Sequence, residues 1–450
     1  MPSRHDSDHC DLPLKMNDEQ HTPQKIDPNR SQPPFVLHAR IFKSVEWIDQ
    51  NLQCPVEAYT VLHQIRGGLL TIPDEPLALP GYKHVHTAIS YNFRHILPRL
   101  NYKQPMHTHR NFGLDLARAL AITMVFLSHG ISALDTLGVG VDLFFLLSGF
   151  LIGRIYLRAQ KDAHEPSGTF TLWGFWSARW FRTLPPYLAA LALFALAQPH
   201  FQNNPIHPYY LLFLQNYVGL TGFGPSWSLC VEEHFYLALP LLGFLLLRFA
   251  GRKNLLWLLP ILALIPQLLR TLAVLGPGLP TNWYWRTHFH CEGLILGVWL
   301  AYLFVDRTEI WRRLRTPAIP LALIPIAILV YQNLTPDQPL PFRATVFLLY
   351  AIGYAAWLRL LYDLRWSPAS PPSRLLKNTI HGLALASYSI YLIHTLVFND
   401  VRLMLGAWPR GSLKSSTILV AALVASVLFY FAIERPTIHL RDRVLTPKPK

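Results

Sequence analysis

The chain has 450 residues, of which 51% are hydrophobic and only 15% charged, with 13 Trp, 19 Tyr and 25 Phe and a mean hydropathy of +0.24. A soluble domain of this size carries nearer about a quarter charged residues, so the composition excludes that class and implies a polytopic, all-α membrane protein. The net charge of +14 would suit nucleic acid, but in a membrane protein Lys and Arg on cytoplasmic loops account for it, and no nucleic-acid partner is expected.

Residues 1–105 form a polar segment rich in His, Pro, Asn, Asp and Gln. They contain no apolar stretch long enough to span a bilayer and read as disordered and cytoplasmic, with no secretory signal at the start. The piece "FVLHARIFKSVEWIDQNLQ" is compatible with a surface helix. His5, His9 and His21 form a thin candidate metal tract. Met106 precedes the first apolar run, and the segment before it reads as dispensable. Cys10, Cys54, Cys230 and Cys291 form no CxxC pair, so neither a disulfide framework nor a structural zinc site is signalled.

From about residue 112 the chain is almost continuously apolar; the membrane domain is expected over 106–440, and a basic tail, 441–450, follows. Ten spans are expected, near 112–131, 138–157, 182–199, 227–247, 255–274, 288–305, 317–333, 344–362, 380–399 and 415–433. Each is close to the length that crosses about 30 Å of hydrocarbon. The stretch 207–220 is too short and polar for a span and reads as an interfacial or re-entrant piece.

Lys and Arg set the orientation. The loops after even-numbered spans, with the tail, outweigh the opposite loops by roughly four to one. That places both termini in the cytoplasm and leaves the loop with Arg402, Arg410 and Lys414 as the weakest point.

With this topology the polar residues sort by depth. Arg118, Arg154, Arg179, Arg182 and Arg435 fall toward the inside. His129, Asp142, Glu232, Glu233, His288, His290, Glu292 and His394 fall toward the outside. Ionisable groups in a bilayer are costly and mark a pathway or a site. Arg118 and His129 are eleven residues apart, close to three turns, so they share a helix face about 16 Å apart. A long, thin molecule with an anionic head and a reactive far end would touch both, and acyl-coenzyme A has that shape. Its phosphates suit Arg118, Arg179 and Arg182. His129 then serves as general base on an acceptor hydroxyl, with Asp142, Glu232 or Glu233 as the carboxylate that orients it. Trp227 and Ser228 in "SWSL", with Ser148, offer further polar contacts or simple helix packing. His288 and Glu292, at i and i+4, could share a metal ligand, but no HExxH signature accompanies them and no metal is expected.

"LDLARALAITMVFLSHG", "GVGVDLFFLLSGFLIG", "RWFRTLPPYL", "PSWSLCVEEHFYLALPLL", "SYSIYLIHTLV" and "IERP" resemble, in this order, the motifs of the membrane acyltransferase-3 family. The resemblance covers about residues 110–440. It implies a bundle of about ten transmembrane helices in the cell (inner) membrane. It also implies acyl-CoA, acetyl-CoA foremost, as donor, and a glycan acceptor such as a surface polysaccharide or lipo-oligosaccharide. Arg118 with His129, the pair Arg179 and Arg182, and the acidic pair Glu232 and Glu233 match family motifs. His290 and Glu292 stand where members often carry Arg then Asp, and they are grouped with Trp227, Ser228 and His394 as acceptor contacts. Two rival readings remain: another acyl group or a non-carbohydrate acceptor on the same fold, and a proton-coupled secondary transporter.

Overall fold

In the computed structural model the described residues are 110–162, 172–197, 206–219, 222–276, 278–280, 283–406 and 412–445. Every described residue belongs to the unit Pro98–Lys450. The surface helix, the histidine tract and the Met106 boundary expected in the N-terminal segment lie outside the described residues.

The main helices are α1 Phe112–Gly130, α2 Gly140–Asp162, α3 Leu172–Ala197, α4 Ser226–Leu245, α5 Leu255–Leu275, α6 Glu292–Asp306, α7 Ile324–Leu334, α8 Leu340–Tyr362, α9 Pro371–Met404, α10 Ser412–Phe429 and α11 Arg435–Leu445. Among the described residues, nine helical stretches are long and apolar enough to cross a membrane. The expected span at 288–305 appears as α6, with only 15 residues, about 22 Å long, and nearly all of its first turns are buried. The span expected at 317–333 is interrupted. A short helix, Arg315–Leu321, carries Pro320, and Pro325 starts the next one, α7; proline at a helix's first turn forgoes no hydrogen bond. Residues 208–218 are not a crossing helix. Two short turns, Pro208–Leu212 and Gln215–Val218, flank Phe213 at φ 56°, and the amides of Gln215 and Asn216 bond carbonyls of Ser226 and Trp227 at the start of α4.

Many large apolar side chains stay uncovered, among them Leu196 (76%), Phe249 (80%), Trp257 (69%) and Leu275 (79%). An apolar surface of that extent is covered by lipid tails in an integral membrane protein.

The closest helix pair is α2 against α6. Gly149 and Gly153 on α2 face Gly293 and Gly297 on α6, a small-xxx-small seam on both sides. A Cβ added at Gly149 would sit 2.0 Å from the Leu294 carbonyl oxygen, and one at Gly297 would sit 2.4 Å from that of Leu146. Contacts advance in step, 145 with 293, 149 with 297 and 153 with 301, so α2 and α6 are parallel and their N-termini share one end. The pair α1 and α9 is parallel too: Asp115 meets His381, and His129 meets His394. α10 runs back along α9, with Leu419 and Phe398 near Gly130 and the continuation of α10 bringing Glu434 to Ser389. The start of α1 is fixed by Asn111, whose side chain accepts from the Leu114 N–H and donates to the Tyr362 carbonyl of α8.

Candidate active site

His129 lies in the last turn of α1, and its imidazole is exposed. Its Nδ1 is 3.0 Å from the Val125 carbonyl, 3.2 Å from Ser128 Oγ and 3.4 Å from His394 Nε2. A carbonyl oxygen only accepts, so Nδ1 carries the proton and donates it. His394 follows the same logic. Its Nδ1 lies 2.9 Å from the Ile390 carbonyl and 2.8 Å from that of Tyr391, which leaves a bare Nε2 facing the His129 N–H. The lone pair of His129 Nε2 is therefore free, and among the described residues it has no partner. Sequence reading expected a carboxylate to orient this imidazole. The Val125 carbonyl, Ser128 Oγ and a second histidine fill that place instead, and none of Asp142, Glu232 and Glu233 is bonded to it.

The three carboxylates have other partners. Asp142, in the first turn of α2, places Oδ1 2.7 Å from His290 Nε2. His290 Nδ1 donates to the Tyr284 carbonyl at 2.9 Å. Trp227 stacks on the His290 ring at 5.4 Å and Phe347 lies 4.4 Å from it, centroid to centroid. Glu232 Oε1 accepts from Ser148 Oγ at 2.6 Å, and Glu233 Oε1 accepts from Thr183 Oγ1 at 3.0 Å.

The expected acceptor contacts are closed off. Exposure is 9% for Trp227, 4% for Ser228, 2% for His290, 1% for Glu292 and 0% for His394, so none offers a surface to a sugar in this conformation. Ser228 Oγ is 2.5 Å from Tyr391 Oη. Glu292 pairs with Arg270 at 2.5 Å, while His288 Nδ1 meets Tyr217 Oη at 3.2 Å. The two side chains proposed above for a shared metal are thus held by separate partners.

At the other end of α1, Arg118 lies close enough to Arg182 and Arg179 for their charges to act on it. All three side chains are half-buried, as is Glu232. Among the described residues, Arg118 and Arg182 make no hydrogen bond or ion pair. Arg179 stacks its guanidinium 4.3 Å over the Tyr236 ring, with its Nε buried and unpartnered. Arg118 and Arg182, without a bonded anion and beside Arg179, which Glu232 and Glu233 balance electrostatically, have the chemistry to receive a phosphate. Arg154 differs: it lies over Phe304 at 4.8 Å and near Phe150 and Tyr362.

Between the two ends runs a polar line on α4. Ser228, Glu232 and Tyr236 follow at four-residue spacing, so they share a face, and they meet Tyr391, Ser148 and Arg179 from three neighbouring helices. Sequence reading missed Tyr236, Tyr391 and Arg270. Arg270 lies in the middle of an apolar run, where a lone cation is itself the signal of a buried partner.

The acyltransferase domain family (Acyl_transf_3) matches residues 111–435. The chain is 25% identical over 349 residues to acyltransferase MdmB of Streptomyces mycarofaciens, covering 69% of this chain and 83% of that one. It is 24% identical over 356 residues to peptidoglycan O-acetyltransferase OatA of Listeria monocytogenes, covering 72% of this chain and 55% of the relative. A Staphylococcus aureus (strain COL) protein named as an O-acetyltransferase is 29% identical over 212 residues, 43% of this chain and 34% of its own length. The chain thus spans about a third to just over a half of these two O-acetyltransferase relatives. No solved structure matches. With the acyltransferase-domain match running over residues 111–435, most of the chain, this helical membrane protein belongs to the acyltransferase-3 family.

Proposed function

We propose that this transferase moves an acyl group, acetyl in the simplest case, from acyl-CoA to a hydroxyl of a carbohydrate acceptor at the outer side of the cell membrane. The observation that carries the reading is one helix face. α1 bears unpaired Arg118 at one end and a bare His129 Nε2 at the other, about 16 Å apart along the axis. The arginines match the phosphates of coenzyme A, which is made in the cytoplasm, so this end of the bundle and both chain termini face inward. The printed name of the Listeria relative, a peptidoglycan O-acetyltransferase, supports a carbohydrate acceptor.

The chemistry needs few parts. The acceptor oxygen attacks the thioester carbonyl carbon while its proton passes to His129 Nε2. The C–S bond breaks, and the thiolate takes the proton back from the imidazolium. Val125 O and His394 Nε2 face the Nδ1–H, where positive charge appears in the transition state. Glu232 and Glu233 act electrostatically on Arg179, holding the cation group in place rather than touching the base.

The test is acyl transfer by purified protein in detergent or nanodiscs, with acetyl-CoA and isolated cell-surface glycan, read by the acyl mass gained on the glycan. Transfer without a membrane gradient, lost in His129→Gln, is the expected result. Absence of transfer by correctly folded protein with every glycan fraction, or full turnover in His129→Gln, overturns the reading.

A further inference from the structure

We infer that His394, by accepting the Nδ1–H of His129 at its own Nε2, is the positioning residue of the catalytic base. This deepens the reading above and rests on it for its catalytic consequence, though the positioning itself can be measured separately.

The argument is one of proton inventory. Each imidazole has two nitrogens and, when neutral, one proton. The Ile390 and Tyr391 carbonyls claim the proton of His394 at Nδ1. Its Nε2 is then an acceptor, buried with the ring at 0% exposure, and the polar hydrogen facing it is on His129 Nδ1, at 3.4 Å. The Val125 carbonyl favours the same His129 tautomer. One bond from the local turn and one from α9 together point the bare His129 Nε2 outward. An acceptor on one imidazole nitrogen raises the basicity and nucleophilicity of the other.

The ring of His394 cannot drift. Phe126, Tyr391, Phe398 and the His129 ring pack around it at centroid distances of 6.4, 5.9, 5.7 and 5.0 Å. Helices α1 and α9 run parallel here, so the pair stays in register along both. Arg402 Nη2 donates to the His129 carbonyl at 2.7 Å and so holds the backbone rather than the ring. A neutral histidine in this place suits a base that must ionise during each turnover inside a bilayer. A carboxylate there would bury a permanent charge.

The experiment compares His394→Phe with His394→Gln in the purified full chain. Phenylalanine keeps the flat ring but removes the acceptor; glutamine sets a carbonyl oxygen at about the place of Nε2. The first readout is carbethoxylation of His129 by diethylpyrocarbonate, followed by mass spectrometry and referenced to exposed His439. His394→Phe is expected to slow His129 labelling about fivefold, the worth of one hydrogen bond, and His394→Gln to restore it to within about twofold. The second readout is turnover: His394→Phe lowers kcat about tenfold with donor KM unchanged, and His394→Gln recovers most of it. Equal labelling in His394→Phe and wild type, or folded His394→Gln that labels as slowly as His394→Phe, overturns the proposal. If labelling responds as stated while His129→Gln keeps full turnover, the positioning stands and the general-base reading falls.

Discussion

Asp142 Oδ1 and His290 Nε2 meet at 2.7 Å where the parallel helices α2 and α6 begin, and both side chains are almost wholly buried. With His290 Nδ1 donating to the Tyr284 carbonyl, a strong bond to Asp142 requires a second proton within the pair. It is an imidazolium beside a carboxylate, or a neutral ring beside a carboxylic acid. Asp142 Oδ2 is buried without a partner. Neither member bonds His129, and Phe347 of α8 packs on the His290 ring, so the dyad joins α2, α8 and the start of α6.

That assignment separates two substitutions. Asp142→Asn keeps an amide N–H for a bare His290 Nε2, so the protein should fold normally and keep at least about a tenth of its turnover. Asp142→Ala leaves the imidazole buried alone and should cost about 3 kcal/mol or more. Thermal unfolding in detergent and acyl transfer, measured on both, check this. Loss of all transfer by a normally stable Asp142→Asn would put the carboxylate in the chemistry instead.

The glycine seam that carries this dyad has no slack. Gly149→Ala would drive a methyl group into the Leu294 carbonyl, whereas at Gly153 the nearest atoms lie at 3.0–3.2 Å. The first substitution should destabilise by about 1–3 kcal/mol and the second by clearly less. The same thermal assay ranks them, and an equal or reversed order would mean that α2 and α6 sit further apart than described.

Arg270 and Glu292 make a wholly buried ion pair, backed by bonds from Arg270 to the Ala344 and Phe289 carbonyls and to Gln267. Removing one partner strands the other. Arg270→Met and Glu292→Leu should each cost about 3–5 kcal/mol, and the double variant much less than their sum. Additive losses in the double variant would show that the carbonyl bonds, not the pair, carry the stability.

Much of this was legible in the sequence because a bilayer simplifies the reading. Apolar runs near twenty residues declare themselves, and the order of motifs around Arg118, His129, Arg179 and Glu233 identified the family. What a single sequence hides is which distant residues meet. Eight acids and imidazoles were placed at one outer depth, and depth alone could not say that Asp142 answers His290 across α2 and α6 while His394 answers His129 across α1 and α9. The short α6 was overlong in expectation because His288 and His290 precede the helix rather than belong to it. Arg270 was overlooked because nothing in "IPQLLRTLAV" names its partner twenty-two residues on.

The arginine group yields the sharpest separation of stability from function. Arg118, Arg179 and Arg182 act on one another as like charges, and Arg118 and Arg182 lack a bonded anion among the described residues. Like charges held close in a poorly hydrated interior oppose folding. Removing Arg118 or Arg182 should therefore leave the thermal midpoint unchanged or raise it. If the group receives the phosphates of an acyl-CoA, the same substitution removes charge-assisted bonds worth about 1.5–3 kcal/mol each. Arg118→Gln is then expected to raise the donor KM at least about tenfold, with kcat changed much less, and wild-type donor binding should weaken as salt rises. Isothermal titration with desulfo-coenzyme A, run beside a thermal melt, reads both quantities on one preparation. A variant that is destabilised but binds the donor normally would mark these arginines as structural cations, and the donor would have to enter elsewhere in the bundle.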